Sequence, residues 1–584
     1  MAYGYRESEH HKIPKYVKFN ATNPYDVPGM HKSGFFMKGN EKIYLDQSIK
    51  ITRITPNRSA SRTVVQSSLG MHVDNAAMPH VDPTDTATAM AGSLFRFGRH
   101  VPIKKNLRGF KRFVKNWLKK NLTPLDVTSD TSFDAWIAKT PYTDSRKNEL
   151  RRKYKEMGID NYDLPDRLLK VKSFIKDETY ETFKHARGIN SRSDEFKCAV
   201  GPIFQLISDA VFALPWFIKK IPIHLRPQYI IDRLFKIGAT YRTTDYTSYE
   251  AHFTPELKRN CEFLLYEHMV QFLPGGMEWL KLVKRSGAET ANHIDFKCFS
   301  MEIDGKRMSG EMDTSLANGF ANLMLMLYLC EVNRNTNVIG VIEGDDGLFT
   351  VTGTPPSADL FKDFGLTIKI VDFNELNHAS FCGMLFDLDD RTNVSNPIEV
   401  LVGFGWTTAR YSRSSQRVHN HLLRAKALSL AYQYPACPIL SALAYKVCQL
   451  TAGYDTEKFL STQGNHAFCQ YEMEIIQQSL AHLKTTQYFT KNNLLAVPGI
   501  KTRLLVEELY GVTVADQLTI EDHIVGLKTI SKLNIPVLNK YLHSDWVEYF
   551  DRYTIEYPYQ EDFDNLLTVW PQVRQPARFY VNRR

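Results

Sequence analysis

The sequence predicts an α+β fold in which a small antiparallel hairpin sits among long helices, and three observations carry that prediction. Asn337-Val338-Ile339-Gly340-Val341-Ile342 and Leu348-Phe349-Thr350-Val351 are short apolar runs flanking Glu343-Gly344-Asp345-Asp346-Gly347, and they read as two strands joined by a tight turn. A second β-prone run, Tyr241-Arg242-Thr243-Thr244, ends at Asp245 and gives way to a helix-like segment from Pro255 to Phe272. Helical periodicity dominates elsewhere: Leu316 to Cys330 forms a long apolar helix, and beyond about residue 390 the chain is mainly helical, as in Leu422 to Leu430 and Pro438 to Leu450.

Bulk properties bound the rest. At 584 residues the chain exceeds one simple core, so several subdomains are expected. A hydrophobic content of 43%, with 12% aromatic residues, excludes a mostly disordered protein. Lys and Arg number 73 against 64 acidic residues, and the resulting net charge of +9 favours a polyanionic partner. The 8 cysteines show neither Cys-x-x-Cys pairs nor zinc-like spacing, which suggests a reducing compartment and no structural zinc. Met1 to His11 is polar and charged, unlike a signal peptide. The most apolar stretch, Pro202 to Ile218, is interrupted by Asp209 and Pro215 and reads as a buried core helix rather than a membrane span.

Along the chain, residues 1 to about 60 are mixed polar and aromatic, and Asn57 to Ser93 reads as extended loop with short elements. A basic amphipathic helix follows, with Leu107, Phe110, Val114, Trp117 and Leu118 at helical spacing and Lys104, Lys105, Arg108, Lys111, Arg112, Lys115, Lys119 and Lys120 between them. Its charged face is either simply solvated or a rail for RNA phosphates or anionic membrane. A second charged helix is expected from Ser145 to Met157. Leu169 to Lys176 alternates apolar and basic residues as a half-buried strand does, with Lys170, Lys172 and Lys176 on one face.

Three constellations carry chemistry. Asp345 and Asp346 sit at a hairpin tip, where carboxylate oxygens suit a hard cation such as Mg²⁺; the same residues also serve as an ordinary turn. Asp245, at the end of its strand, is placed either to face a cleft or to cap a turn. Ser309-Gly310 feeds the long apolar helix, on which Thr314 and Asn318 share one face; that pair reads a ribose or forms the polar seam of a core helix.

The order Asp245, then Ser309-Gly310-x-x-x-Thr314-x-x-x-Asn318, then Gly344-Asp345-Asp346 resembles motifs A, B and C of viral RNA-dependent RNA polymerases. Arg307-Met308-Ser309-Gly310 and Leu423-Arg424-Ala425-Lys426-Ala427-Leu428-Ser429-Leu430-Ala431-Tyr432 are similar to the plus-strand, tombusvirus-like part of that family, and the resemblance covers about residues 60 to 450. It implies that Asp245 and Asp345, with Asp346 beside them, hold two Mg²⁺ ions (Mn²⁺ substituting), and that Asn318 helps select the 2′-hydroxyl. Phe364 to Lys369 is similar to motif D, which makes Lys369 the candidate proton donor to pyrophosphate. Phe381-Cys382-Gly383 is similar to motif E, the support of the primer end. Lys176, Lys184, Arg187 and Arg192 match the basic motif F that meets the incoming triphosphate. One departure stands out: motif A usually places a second Asp five residues after the first, and here that position is Glu250, one methylene longer.

The resemblance therefore implies a closed right hand: residues 1–100 bridging fingers and thumb, fingers over 101–235, a palm over 236–390 with an inserted fingers segment at about 255–300, and a helical thumb and tail over 391–584. It implies RNA synthesis from NTPs on an RNA template. About two hundred residues follow Phe381-Cys382-Gly383, a thumb region large enough to favour initiation de novo, and the aromatic, arginine-rich tail Trp570–Arg584 either contributes or is a disordered basic terminus. Partners would be template and product RNA, NTPs and other viral replication proteins. Membrane contact would be peripheral or through another viral protein, or the chain a mature fragment, and the setting a replication complex at membranes of the host cytoplasm. Two rivals share parts of the pattern: a reverse transcriptase, and a non-catalytic RNA-binding replication protein that keeps the fold.

Overall fold

The structure, a computed structural model, describes residues 35–38, 41–54, 66–78, 86–96, 98–104, 106–158, 162–176, 185–297, 299–333, 337–411, 413–463, 470–485, 496–544 and 554–555, with a few single positions between them. It is a mixed helix and strand fold with largely antiparallel sheets, compatible with the α+β expectation.

The central sheet has four strands in the order Asn337–Glu343, Asp346–Thr352, Thr240–Tyr246 and Ile368–Phe373, every neighbour antiparallel. The run ending at Asp245 thus lies between the hairpin and a strand whose alternating pattern went unread. Helix Thr314–Val332 packs against the first hairpin strand. It is apolar on all sides because it is buried on nearly all sides: Leu316, Ala317, Phe320, Leu323, Met324 and Leu325 are all buried. By length and composition it could cross a membrane, but 72% of that window is inside the molecule, which makes it a core helix.

A second sheet runs Lys50–Ile54, Phe299–Asp304, Ala291–Asp295, Val171–Ile175 and Gly188–Arg192, antiparallel except where Val171–Ile175 meets Ala291–Asp295. The alternation read in Leu169–Lys176 is real: Val171, Ser173 and Ile175 face inward while Lys172 and Phe174 face out. A third, small sheet joins Gln66–Ser68 to Trp406–Thr408 and Thr554–Ile555. The N-terminal hundred residues therefore lend one strand to each of two sheets that belong otherwise to distant parts of the chain.

Both basic helices form. Arg108–Asn121 buries Phe110, Val114 and Leu118, one residue per turn, and leaves its cations outside. Asp144–Met157 is capped at its start by the Thr143 hydroxyl and ended by Gly158 in the left-handed region. The apolar stretch around Pro202 is a buried helix, Asp194–Val211, which starts earlier than the apolar run because Ser193 caps it. One expectation needs correcting. Pro255 to Phe272 is two helices, Pro255–Asn260 and Glu262–Val270, broken where Cys261 leaves helical geometry (φ −131°, ψ −91°). The described part of Asn57 to Ser93 fits the expected extended chain with short elements, namely the strand Gln66–Ser68 and the start of helix Thr86–Arg96. The described C-terminal region is mainly helical, and Gln416–Gln433 and Leu440–Leu450 pack within an apolar core shared with Leu69, Met71 and Val73.

Candidate active site

The hairpin turn consists of Gly344 and Asp345, because Glu343 is register partner of Asp346. A two-residue turn that matches strand twist needs positive φ at its first residue. Gly344 supplies it at +61°, with open space where a side chain would be, so glycine is required there by conformation and not by crowding. The turn is clamped from behind. Asn322, fully buried one helical turn beyond Asn318, donates from Nδ2 to the carbonyl oxygens of Gly344 (3.3 Å), Asp345 (3.1 Å) and Asp346 (3.3 Å). One amide thus reaches three backbone acceptors of the turn, and the tip is tied to the core helix.

Asp245 reaches the same end of the sheet. Gly347 pairs with Thr244, so one step further sets Asp346 level with Asp245, and on Asp245's other side stands Lys369, its exposed register partner. The carboxylates repel. Burial, then the charges of Glu250, Asp346 and Asp245, push Asp345 up to about 7. Burial and then Asp245 and Glu343 push Asp346 up to about 6, while a hydrogen bond from the Cys382 thiol and the charge of Arg187 pull it back. That thiol comes from a tight turn in which Phe381 and Met384 bond to each other and Cys382 and Gly383 have positive φ (53° and 72°).

The small-residue loop is held on three sides. The Thr314 hydroxyl accepts from Gly310 N–H (3.2 Å) and donates toward Glu311 O (3.0 Å) and Met308 O (3.2 Å), so its role in the structure is to fasten the loop. Ser309 O accepts from Asn190 N–H at 2.5 Å, tying the loop to the edge of the five-stranded sheet. A side chain at Gly310 would come within 3.1 Å of Ile189 Cγ2 and 3.2 Å of Asn190 O. Ser309, Glu250, Arg187, Gly188 and Asn190 line one small pocket together with Arg96, Ser248 and Arg307.

Asn318 is buried, and its Oδ1 accepts from Arg307 Nη1 at 2.6 Å. Arg307, itself buried, pairs with buried Glu262 and lies 3.6 Å from the centre of the Phe253 ring. The amide oxygen of Asn318 is thus engaged inside the protein, leaving Nδ2 as the group it can offer. Arg192 is buried as well: it pairs with Glu311 at 2.5 Å and donates to Leu169 O, to Ser286 O at 2.7 Å and to Asn292 Oδ1 at 2.7 Å, so it organises the five-stranded sheet. Lys176 and Arg187 share Glu178, at 2.7 and 3.7 Å. Lys184 and the tail Trp570–Arg584 lie outside the described residues.

Asp245, Asp345, Asp346, Glu250, Lys369, Ser309, Gly310, Arg187 and Cys382 thus gather around one end of the central sheet. Arg192 does not face it, and Asn318 faces it only in part. Sequence reasoning missed Asn322, Arg307, Asn190 and Arg96. Only Asn322 left a readable signal: it is the third polar residue, after Thr314 and Asn318, on one face of an apolar helix. Among the described residues no three acidic, His or Cys side chains already converge as a metal cage. The fit to a cation rests instead on donor chemistry: hard carboxylate oxygens, raised in pKa by burial and then by one another, whose repulsion a divalent ion would relieve. Compared with family models and with curated proteins, the chain matches none.

Proposed function

We propose that the protein is an RNA-dependent RNA polymerase that extends an RNA 3′-hydroxyl with nucleotides from NTPs on an RNA template. The observation that carries this reading is the meeting of Asp245, Asp345 and Asp346 at one sheet end, with the Ser309-Gly310 loop and its helix alongside. In it, the central sheet is the palm, the five-stranded sheet belongs to the fingers, the C-terminal helices form the thumb, and residues 1–100 bridge the last two.

Asp245 and Asp345, with Asp346, would hold the Mg²⁺ pair. When bound, that pair supplies activation of the 3′-hydroxyl and neutralisation of the leaving oxygen. The chain's own groups do the rest. Arg187 and Arg96, beside Glu250 and Ser309, offer a cationic seat for triphosphate oxygens and polar contacts for the sugar. Lys369, cross-strand from Asp245 and exposed, donates a proton from Nζ to the departing pyrophosphate. Asn322 keeps the carboxylate tip where the 3′-hydroxyl and α-phosphate must meet, and such positioning is the larger part of phosphoryl-transfer catalysis. RNA synthesis would begin de novo.

Purified protein given a primed RNA template should incorporate NTPs and largely reject dNTPs. Preference for dNTPs would make the enzyme a reverse transcriptase, and incorporation of neither would make it a non-catalytic RNA-binding protein.

A further inference from the structure

The outer face of helix Arg108–Asn121 takes no part in the site. At about 100° per residue, Arg108, Lys111, Arg112, Lys115 and Lys119 fall within an arc of roughly 100°, and all are exposed. The helix holds no acidic residue, and among the described residues none of these side chains makes an ion pair. Arg108 and Arg112, Lys111 and Lys115, and Lys115 and Lys119 stand four residues apart, a spacing at which like charges oppose the helix. Acids on the surrounding elements do not answer the row. Glu262 is paired with Arg307, Glu267 with Lys284 at 4.0 Å and Asp359 with Lys362 at 2.8 Å, and Glu256 has exposed Arg259 on its own helix. Exposed Glu331 and half-buried Asp363 are left, too few to balance it. The repulsion along the helix is thus a cost with no return inside the chain.

The row points away from the carboxylates. Phe110 and Phe113 pack on Tyr328, with ring centres 5.4 and 5.5 Å apart, and Trp117 packs on Phe320 at 6.0 Å. Phe320 lies about 160° round its helix from Asn318 and Asn322, the residues that meet the site, so the core helix stands between the row and the carboxylate turn. Since Phe110, Val114 and Leu118 are spent on the core, the basic helix cannot turn an apolar face outward, and any partner meets its cations. Apolar side chains do stand exposed at its C-terminal end. Beyond Leu122 the chain runs beside helix Glu262–Val270: His268 Nε2 meets Leu122 O at 2.8 Å, and Leu125 N–H donates to Met269 O at 2.8 Å. Just past these contacts Val127 is 75% exposed and Phe272 64%. An aliphatic side chain offers nothing to RNA phosphates. Beside a row of cations, it suits the layer where lipid headgroups meet acyl chains.

We infer that this face is a docking surface for a bilayer carrying anionic lipid, with Arg108, Lys111, Arg112, Lys115 and Lys119 over the headgroups and Val127 and Phe272 entering the interface at one end. Docked this way, the molecule keeps the core helix between the bilayer and its carboxylates.

The test is flotation of the full chain with vesicles of phosphatidylcholine alone and of an equal mixture of phosphatidylcholine and phosphatidylserine. Wild type should float with the mixed vesicles and not with the neutral ones, and added salt should release it. The triple variant Lys111→Gln, Lys115→Gln, Lys119→Gln should lose about 5-fold in affinity per cation, roughly 100-fold in all. Phe272→Ser should show a smaller loss. Lys111→Arg, Lys115→Arg, Lys119→Arg keeps the charge and should bind as wild type does. Thermal unfolding of the Gln variant should match or exceed wild type, because like charges have been removed from exposed positions. Wild type that ignores the mixed vesicles, or floats equally with neutral ones, would overturn the inference without any variant. So would a Gln variant that floats like wild type, or an Arg variant that loses as much as the Gln variant. A Gln variant that loses affinity for a fluorescent RNA hairpin while still floating would assign the face to RNA and overturn it too. Flotation needs neither NTPs nor RNA, so its outcome is separate from whether the chain extends RNA.

Discussion

Two charged regions, one around buried Arg307 and one around half-buried Asp345, are built on opposite principles. Around Arg307 every charge has an answer: Glu262 pairs with it, Asn318 accepts from it and the Phe253 ring covers it. Around Asp345 burial, and then the like charges of Glu250, Asp346 and Asp245, disfavour the ionised carboxylate and push its pKa up to about 7. A region whose charges are all matched is a piece of architecture. One in which like charges stand together is where, in the proposed reading, a cation would bind. The difference separates residues that build the site from residues that would perform chemistry in it, although both kinds fall within the same sequence motifs.

The comparison can be broken most sharply at the carboxylates. Asp345→Ala and Asp245→Ala should each abolish nucleotide incorporation while leaving RNA affinity nearly intact, because affinity comes from cations at phosphates. Incorporation assays beside binding isotherms check this, and normal turnover by either variant would remove the site assignment. On the architectural side, Glu262→Ala strands Arg307 without its buried partner and should destabilise the fold by about 3–5 kcal/mol in urea unfolding. A much smaller loss would mean that the Arg307 cluster is not the matched region described.

Asn322→Ala tests the link between the two regions. It frees the Gly344–Asp345–Asp346 turn, and a displacement on the order of 1 Å can cost about 100-fold in rate. Steady-state kinetics should show kcat falling roughly 10- to 100-fold with KM for NTP little changed; a KM effect alone would contradict the clamp.

The smallest effect expected is on stability. Asp345 and Asp346 keep their protons to higher pH in the folded chain than in the unfolded one, where they titrate near 3.8. The folded state therefore binds more protons between pH 3.8 and about 7, and their contribution to stability declines as pH rises through that window. A divalent cation should reverse the loss, so the gain in Tm on adding Mg²⁺ or Mn²⁺ should grow from pH 5 to pH 7.5 and vanish in Asp345→Asn. A gain independent of pH would place the cation elsewhere.

What was legible in the sequence follows the range of the interactions. The hairpin and the Asp245 strand could be read because period-two alternation and turn chemistry are local: Gly344 is needed for its own φ, whatever the rest of the chain does. The strand Trp406–Thr408 could not, because its partner Gln66–Ser68 comes from the other end of the chain, and three residues carry no period of their own. The same holds for function. That Asp245 and Asp345 belong together was visible in their order and spacing. That Arg192 is spent on Glu311 and Asn292, and the Asn318 oxygen on Arg307, depends on residues far apart in sequence whose positive charges look alike until folding decides which are buried.

The central claim is that the Asp345 region is a carboxylate cluster arranged for a cation and for nucleotidyl transfer. Its most direct test is incorporation of labelled NTP on a primed RNA template in Mg²⁺, by wild type and Asp345→Asn side by side. Asparagine keeps the shape of the tip and removes its charge. The account predicts template-directed extension by the wild type, abolished by chelating the metal and absent in Asp345→Asn. Equal extension by both proteins, or none by the wild type, would contradict it.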